Sequence, residues 1–349
     1  MYTVCVYPWR SKPNAALSKC AFRSDSGLLP CHLQTAAMPV PVVLEQHQPP
    51  VHQPRRIDVH HHFFPADLDK GKSNEQVGWR TPAENLPWTP ELSLKFMDAS
   101  SIDLAILSLP AIASGFIGPD NRTQARRRNR AMADICRAHP GRFGFFACLP
   151  FLDDIEGALA EIAYAFDELM ADGIGLSSSY GDGPGATYIG DDRYDPIWAE
   201  LNRRSANVFV HGAQTPSSTP YPHPFLGIPV TEVPNETFKA AAHLVVTGRK
   251  RKYADVHIIL AHLGGSTPFL AARVAVLSGH MGSALSPDEI IEDFKTFYYE
   301  TALSAHSSTL TAMEAFVSPE RILFGTDFPG ESSATSTVAL SMLLDSRKL

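Results

Sequence analysis

A (β/α)8 TIM barrel is the α/β fold that this sequence predicts, and three observations predict it. Eight short runs rich in β-branched and aromatic residues recur along the chain after Arg56. Between them lie stretches with helical spacing and turn signals, the rhythm of βα units on a parallel sheet. Several runs end on a histidine or an aspartate, and such a barrel gathers its chemistry at the C-terminal ends of its strands. The competing fold is a doubly wound open sheet, which is weakened because no glycine-rich phosphate fingerprint follows the first run.

The runs are IDVHH at 57–61, IDLAILSL at 102–109, FGFFACL at 143–149, GIGLSSS at 173–179, NVFVHG at 207–212, VHIILAHL at 256–263, FYYETAL at 297–303 and RILFGTD at 321–327. The later ones are nearly continuous apolar runs, as parallel strands covered on both faces require. Helical patterns separate them. Residues 121–139 stop at Pro140-Gly141, and residues 154–171 stop near Gly173. Asp192 to Ser205 and Asn235 to Lys252 fit the same scheme. The cluster Arg126, Arg127 and Arg128 reads as a solvated helix face. Gly181, Gly183 and Gly185 match neither the dinucleotide nor the Walker spacing.

The rest of the composition sets bounds. The chain has 349 residues, 44% hydrophobic and 19% charged, enough for one large core. A net charge of −7 with no long basic run argues against nucleic acid. No stretch approaches the roughly 20 apolar residues that cross a bilayer. Five irregularly spaced cysteines without a C-x-x-C make neither a disulfide framework nor a thiolate zinc site. They read as reduced thiols of a cytoplasmic protein. Residues 1–55 are proline-rich, hold only Asp25 and Glu45 as acids, and keep no period. They read as a disordered or atypical extension ahead of one domain over 56–349.

The polar strand ends form the expected site. Side chains alternate across a strand, so His60 and His62 share one side while His61 points away. Two such imidazoles converge on one ion. His211 at the end of the fifth run and Asp327 at the end of the eighth complete a set suited to zinc, manganese or iron. Asp327 also suits a helix cap. His262 in ILAHLGG is a candidate acid–base residue, with Gly264 and Gly265 permitting a tight turn beside it. The other histidines, His139, His223, His243, His257, His280 and His306 among them, are read as structural.

The motifs IDVHHHFFP, VFVHG, ILAHLGG and ILFGTDFP, in that order, resemble the amidohydrolase-2 group of the amidohydrolase superfamily, over about residues 56–330. The segments WTPELSLKFMD, RFGFFACLPFLD and FYYETALS are similar to its subgroup of fungal 6-methylsalicylate decarboxylases. The resemblance implies a metal-dependent barrel with His60, His62, His211 and Asp327 as ligands to one divalent ion, zinc or manganese. It implies His262 as acid–base residue and Arg273 as a substrate-binding arginine, supplied across a homodimer interface in some relatives. It implies loss of CO2 from a small aromatic acid in polyketide secondary metabolism, with Asp327 or His262 carrying the proton. Trp79, Trp88 and Phe63 are candidates for an apolar wall around the ring. Against the family's pattern the C-terminal end looks short, so an incomplete barrel end is expected. The alternative activity on the same ligands is hydrolysis of a lactone or amide by activated water.

Overall fold

The computed structural model describes residues 56–110, 118–181, 185–213 and 222–331. The expected extension over 1–55, the end of the chain after Glu331, and Gly183 lie outside the described residues.

The strands are β1 (Ile57–His62), β2 (Leu104–Ser108), β3 (Phe143–Cys148), β4 (Gly173–Ser177), β5 (Ser179–Tyr180), β6 (Thr187–Tyr188), β7 (Asn207–His211), β8 (His257–Leu260), β9 (Tyr298–Glu300) and β10 (Ile322–Leu323). β5 and β6 form a small antiparallel hairpin. The other eight make one sheet in the order β1-β2-β3-β4-β7-β8-β9-β10, every pair parallel. The segment after β10 closes it against β1. Val59 N donates to Phe324 O at 3.0 Å, Asp327 N to His60 O at 2.9 Å, and His62 N to Phe328 O at 2.7 Å. The predicted barrel is therefore present, with its eighth strand short and its closure carried by the following turn.

The helices are α1 (Lys70–Val77), α2 (Pro90–Ala99), α3 (Pro119–Ala138), α4 (Ile155–Asp167), α5 (Asp195–Arg203), α6 (Ile228–Val246), α7 (Arg249–Lys252), α8 (Thr267–Ser278), α9 (Pro287–Lys295) and α10 (Ser307–Phe316). None of the described helices is long and apolar enough to cross a membrane. α2 shows why such segments fold locally: Thr89 caps it by accepting from Leu92 N, Pro90 opens the first turn, and Phe96 and Met97 face the core. α6 begins at Ile228, seven residues ahead of the expected Asn235, and keeps Pro234 inside it. Proline lacks an N–H and ordinarily marks a helix boundary, so the sequence rule placed the start too late.

Strand alternation sorts the apolar residues into two layers. Ala105, Leu107, Phe145, Ala147, Val208, Val210, Ile258 and Leu260 pack toward the helices. Ile106, Phe146, Phe209, Ile259 and Ala261 fill the barrel. On β1 the alternation breaks. Asp58 pairs with Ala105 and His61 with Leu107, so Val59 and His60 together face the single Ile106. Val59 packs on the barrel interior. Without this bulge, His61 would follow it inward. The extra residue reverses the parity and turns His60 and His62 into the barrel mouth.

Candidate metal centre

Each expected ligand sits where a strand of the sheet ends. His60 and His62 end β1, His211 ends β7, and Asp327 lies in the turn after β10. One donor atom from each of His60, His62, His211 and Asp327 lies within 4.8 Å of the others. His60 Nε2 is 3.1 Å from His62 Nε2, and Asp327 Oδ1 is 2.9 Å from His62 Nε2 and 3.3 Å from His60 Nε2. Donors sharing one ion with bonds near 2.0–2.1 Å lie about 3.3–3.4 Å apart at tetrahedral angles and about 2.8–3.0 Å apart at right angles.

The opposite edge of each ring is held, which fixes the donor. His60 Nδ1 lies 2.8 Å from Glu300 Oε1, and His211 Nδ1 lies 2.9 Å from Gly212 O. His62 Nδ1 lies 3.4 Å from Ser108 O. A ring that donates from Nδ1 presents the lone pair of Nε2. Two such lone pairs and a carboxylate oxygen meet at this point. That set repels itself unless a proton or a cation lies between, so the residues fit a divalent ion.

The electrostatics agree. Burial would lower His60, but Glu300 and Asp327 beside it raise its pKa to about 10. Burial lowers His62 and, strongly, His211, and the neighbouring histidines add to the effect on His211. Burial opposes the Asp327 charge, yet His60 and His62 hold its carboxyl well below the usual carboxylate range. His60 thus favours positive charge because of its two carboxylate neighbours, while His62 and His211 favour the neutral form. Asp327 stands at φ 64°, a left-handed conformation that aspartate tolerates better than most residues.

His61 is not part of the cluster, as its parity predicts. Its Nδ1 is 3.0 Å from Asp58 Oδ2 and its Nε2 2.8 Å from Ser93 Oγ on α2. Asp58 also accepts from Thr326 N at 3.1 Å and Thr326 Oγ1 at 2.6 Å. This buried carboxylate therefore ties β1 to the turn that carries Asp327.

His262 follows β8 at the same mouth, its ring centroid 5.0 Å from that of His60 and 5.2 Å from that of His211. Its Nδ1 is 3.1 Å from Ala302 O, and its backbone N donates to Glu300 Oε1 at 2.6 Å. His262, Leu263, Gly264 and Gly265 all have positive φ. A Cβ on Gly265 would stand 1.9 Å from Pro234 O, so only glycine lets this turn close against α6.

Glu300 is the residue the sequence reading missed. It is fully buried and receives His60, His262 N and Ala302 N. The signal was available: an acid inside the apolar run FYYETAL. Arg273 is not brought to the cluster. It lies exposed on α8, with no partner among the described residues. Trp79 donates to Gly330 O at 3.2 Å, and Phe63 packs edge-on against Trp88. None of these three aromatics lines the cleft beside His211. Its aromatic wall is Phe146, Phe151, Tyr180 and Phe209. Cys136 and Cys148 are free thiols, and burial pushes both up to about 12.

The family described as Amidohydrolase matches residues 57–346. The 6-methylsalicylic acid decarboxylase of Aspergillus aculeatus is 40% identical over 285 residues, covering 78% of this chain and 84% of that protein. A gamma-resorcylate decarboxylase of Rhizobium sp. is 29% identical over 271 residues, covering 73% of this chain and 81% of that protein. Among solved structures, a dihydroxybenzoic acid decarboxylase from Polaromonas sp. with bound manganese and 2-nitroresorcinol has TM-score 0.70 at 24% identity. It covers 84% of this chain and 93% of that one, and shows the same fold.

Proposed function

The chain belongs to the amidohydrolase family, and on that premise we propose that it is a metal-dependent, non-oxidative decarboxylase of a hydroxylated aromatic acid. The substrate type we assign is the 2-hydroxybenzoate represented by 6-methylsalicylate, which would give 3-methylphenol and CO2, in polyketide secondary metabolism. The observation that carries the reading is the donor set His60, His62, His211 and Asp327, of which His211 also lines an aromatic-walled cleft. The 40% identical relative named for that reaction supports it.

A divalent ion, manganese or zinc, held by these four residues would supply a Lewis-acid anchor for the carboxylate and the adjacent phenol oxygen. The chain does the rest. Phe146, Phe151 and Phe209 wall the cleft and orient the ring. Asp327, whose side chain at 15% exposure is open where those of His60 and His62 are nearly closed, carries the proton to the ring carbon bearing the carboxylate once it is released from His60 and His62, which otherwise keep it ionised. The C–C bond electrons then return to the ring as CO2 leaves, so no redox cofactor is required. Glu300 fixes His60 and the turn of His262, and His262 resupplies the proton.

Arg273 belongs to a second copy's cleft in this proposal. It shares one face of α8 with Phe269 and Val276, which are 66% and 60% exposed. A cytoplasmic homodimer using that face is the corresponding assembly. The test measures bound metal by mass spectrometry and follows 6-methylsalicylate by chromatography in one sample. Stoichiometric metal with 3-methylphenol formation is expected. A metal-loaded chain that opens lactones or amides and leaves the aromatic acid untouched overturns the proposal.

A further inference from the structure

Three consecutive arginines on α3 have three different fates. Arg126 pairs with Glu161 at 2.7 Å. Arg127, 61% exposed, pairs with Asp67 at 2.5 Å. Arg128 is only 19% exposed and turns inward to line the cleft beside His211. One of its terminal nitrogens is 3.2 Å from Asp67 Oδ2. Its Nε is buried and has no hydrogen-bond partner among the described residues. An unmet buried N–H costs more than a hydrogen bond returns, and one on a guanidinium is a strong donor.

The cleft has a cavity volume of about 70 Å³. His211 marks its end at the metal ligands, and Arg128 lines it from α3. Gly175 also lines the cleft and adds no side chain to it. Tyr180 lines it too, its phenol accepting from Ser177 N at 3.4 Å. Burial raises that phenol, so it keeps its proton and offers a second donor. A benzoate anchored at the metal ligands by its carboxylate and 2-hydroxyl directs its para carbon away from them, along the cleft.

We propose that Arg128 is a specificity residue that reads an oxygen at the para position, so that the chain favours 4-hydroxylated 2-hydroxybenzoates over 6-methylsalicylate itself. This rests on the decarboxylase reading. It extends that reading to the substrate class, phenolic acids with a hydroxyl opposite the carboxylate.

The experiment compares 2-hydroxy-6-methylbenzoate with 2,4-dihydroxy-6-methylbenzoate on manganese-loaded full chain, reading kcat/KM for each. Calorimetry measures binding of the two product phenols, 3-methylphenol and 5-methylbenzene-1,3-diol. A preference of roughly 10- to 100-fold for the hydroxylated member of each pair is expected in the wild type. It collapses toward one in Arg128→Met. It collapses as well in Arg128→Lys, which keeps the charge opposite Asp67 but has no Nε–H. Asp67→Asn keeps the preference. Equal ratios in wild type and both Arg128 variants overturn the proposal. Arg128-dependent preference in binding without turnover of either acid supports the subsite and sinks the decarboxylase reading. Turnover of both acids without preference does the reverse.

Discussion

The two ends of this barrel treat buried charge in opposite ways. At the C-terminal mouth His60 and Glu300 are fully buried and hydrogen-bonded, and so are Asp58 and His61 on the outer side of β1 that supports it. At the N-terminal end most charges stay near solvent and strap loops together. Arg142 reaches Asp98 at 2.7 Å and Asp103 O at 3.1 Å, and Arg321 reaches Thr296 O at 2.9 Å. Of the buried charges there, Arg249 and Asp293 are ion-paired, while Lys250, 5% exposed over the Phe297 ring, has no hydrogen bond among the described residues. Buried polar groups are retained at the mouth because they complete one another around a point of chemistry. A buried charge at the other end stands as a cost.

The largest expected effect breaks the mouth at its least buried ligand. Asp327→Asn keeps the shape and a neutral oxygen but removes the proposed proton carrier. Turnover should fall by about 10^2- to 10^4-fold while part of the metal remains bound. Product formation and metal content, measured together, check this. Retained turnover would move the proton to His262.

Next comes the support beneath the ligands. Three N–H groups, from His60, His262 and Ala302, converge on the two oxygens of Glu300. Glu300→Gln offers one oxygen and one NH2, so a donor must face a donor. Metal affinity should weaken by roughly 10- to 100-fold, the usual consequence of disturbing a ligand's outer partner. Competition with a chelator reads it. An unchanged affinity would mean that His60 is oriented by packing alone.

How much of this was legible depended on which physical signal each residue leaves. The eight strands announced themselves as apolar runs, and the H-x-H parity separated His61 from its neighbours. The face those histidines occupy was not legible, because the bulge at Val59 and His60 reverses the alternation and leaves no residue-type mark. Glu300 did leave a mark, since an acid in an apolar run needs a partner. The reading of Arg126 to Arg128 as one solvated face ignored a rule it could have used. Consecutive helix positions point about 100° apart, so three in a row cannot share a face. The start of α6 was hidden by Pro234, whose local preference the packing of Gly265 against its carbonyl overrides.

The smallest effect on activity, and a gain in stability, is expected at the other end. Burial lowers the Lys250 ammonium to about 8 from its ordinary value, Asp293 opposing this and Arg321 adding to it. The native state therefore holds this proton less tightly than the unfolded chain does. The destabilisation is full below pH 8 and fades as pH rises toward the unfolded value of about 10.4, since only the unfolded chain is protonated in that window. Lys250→Met keeps the apolar stem over Phe297 and removes the charge. It should stabilise the fold by on the order of 2 kcal/mol at pH 7, with the advantage shrinking between pH 8 and 10. Denaturant unfolding at pH 7 and pH 9.5 tests both the size and the slope. Decarboxylation should be unaffected, because the substitution lies at the end of the barrel away from the ligands. A destabilised variant would show instead that the ammonium's attraction to Asp293 outweighs its desolvation, and the contrast between the two ends would then be one of degree.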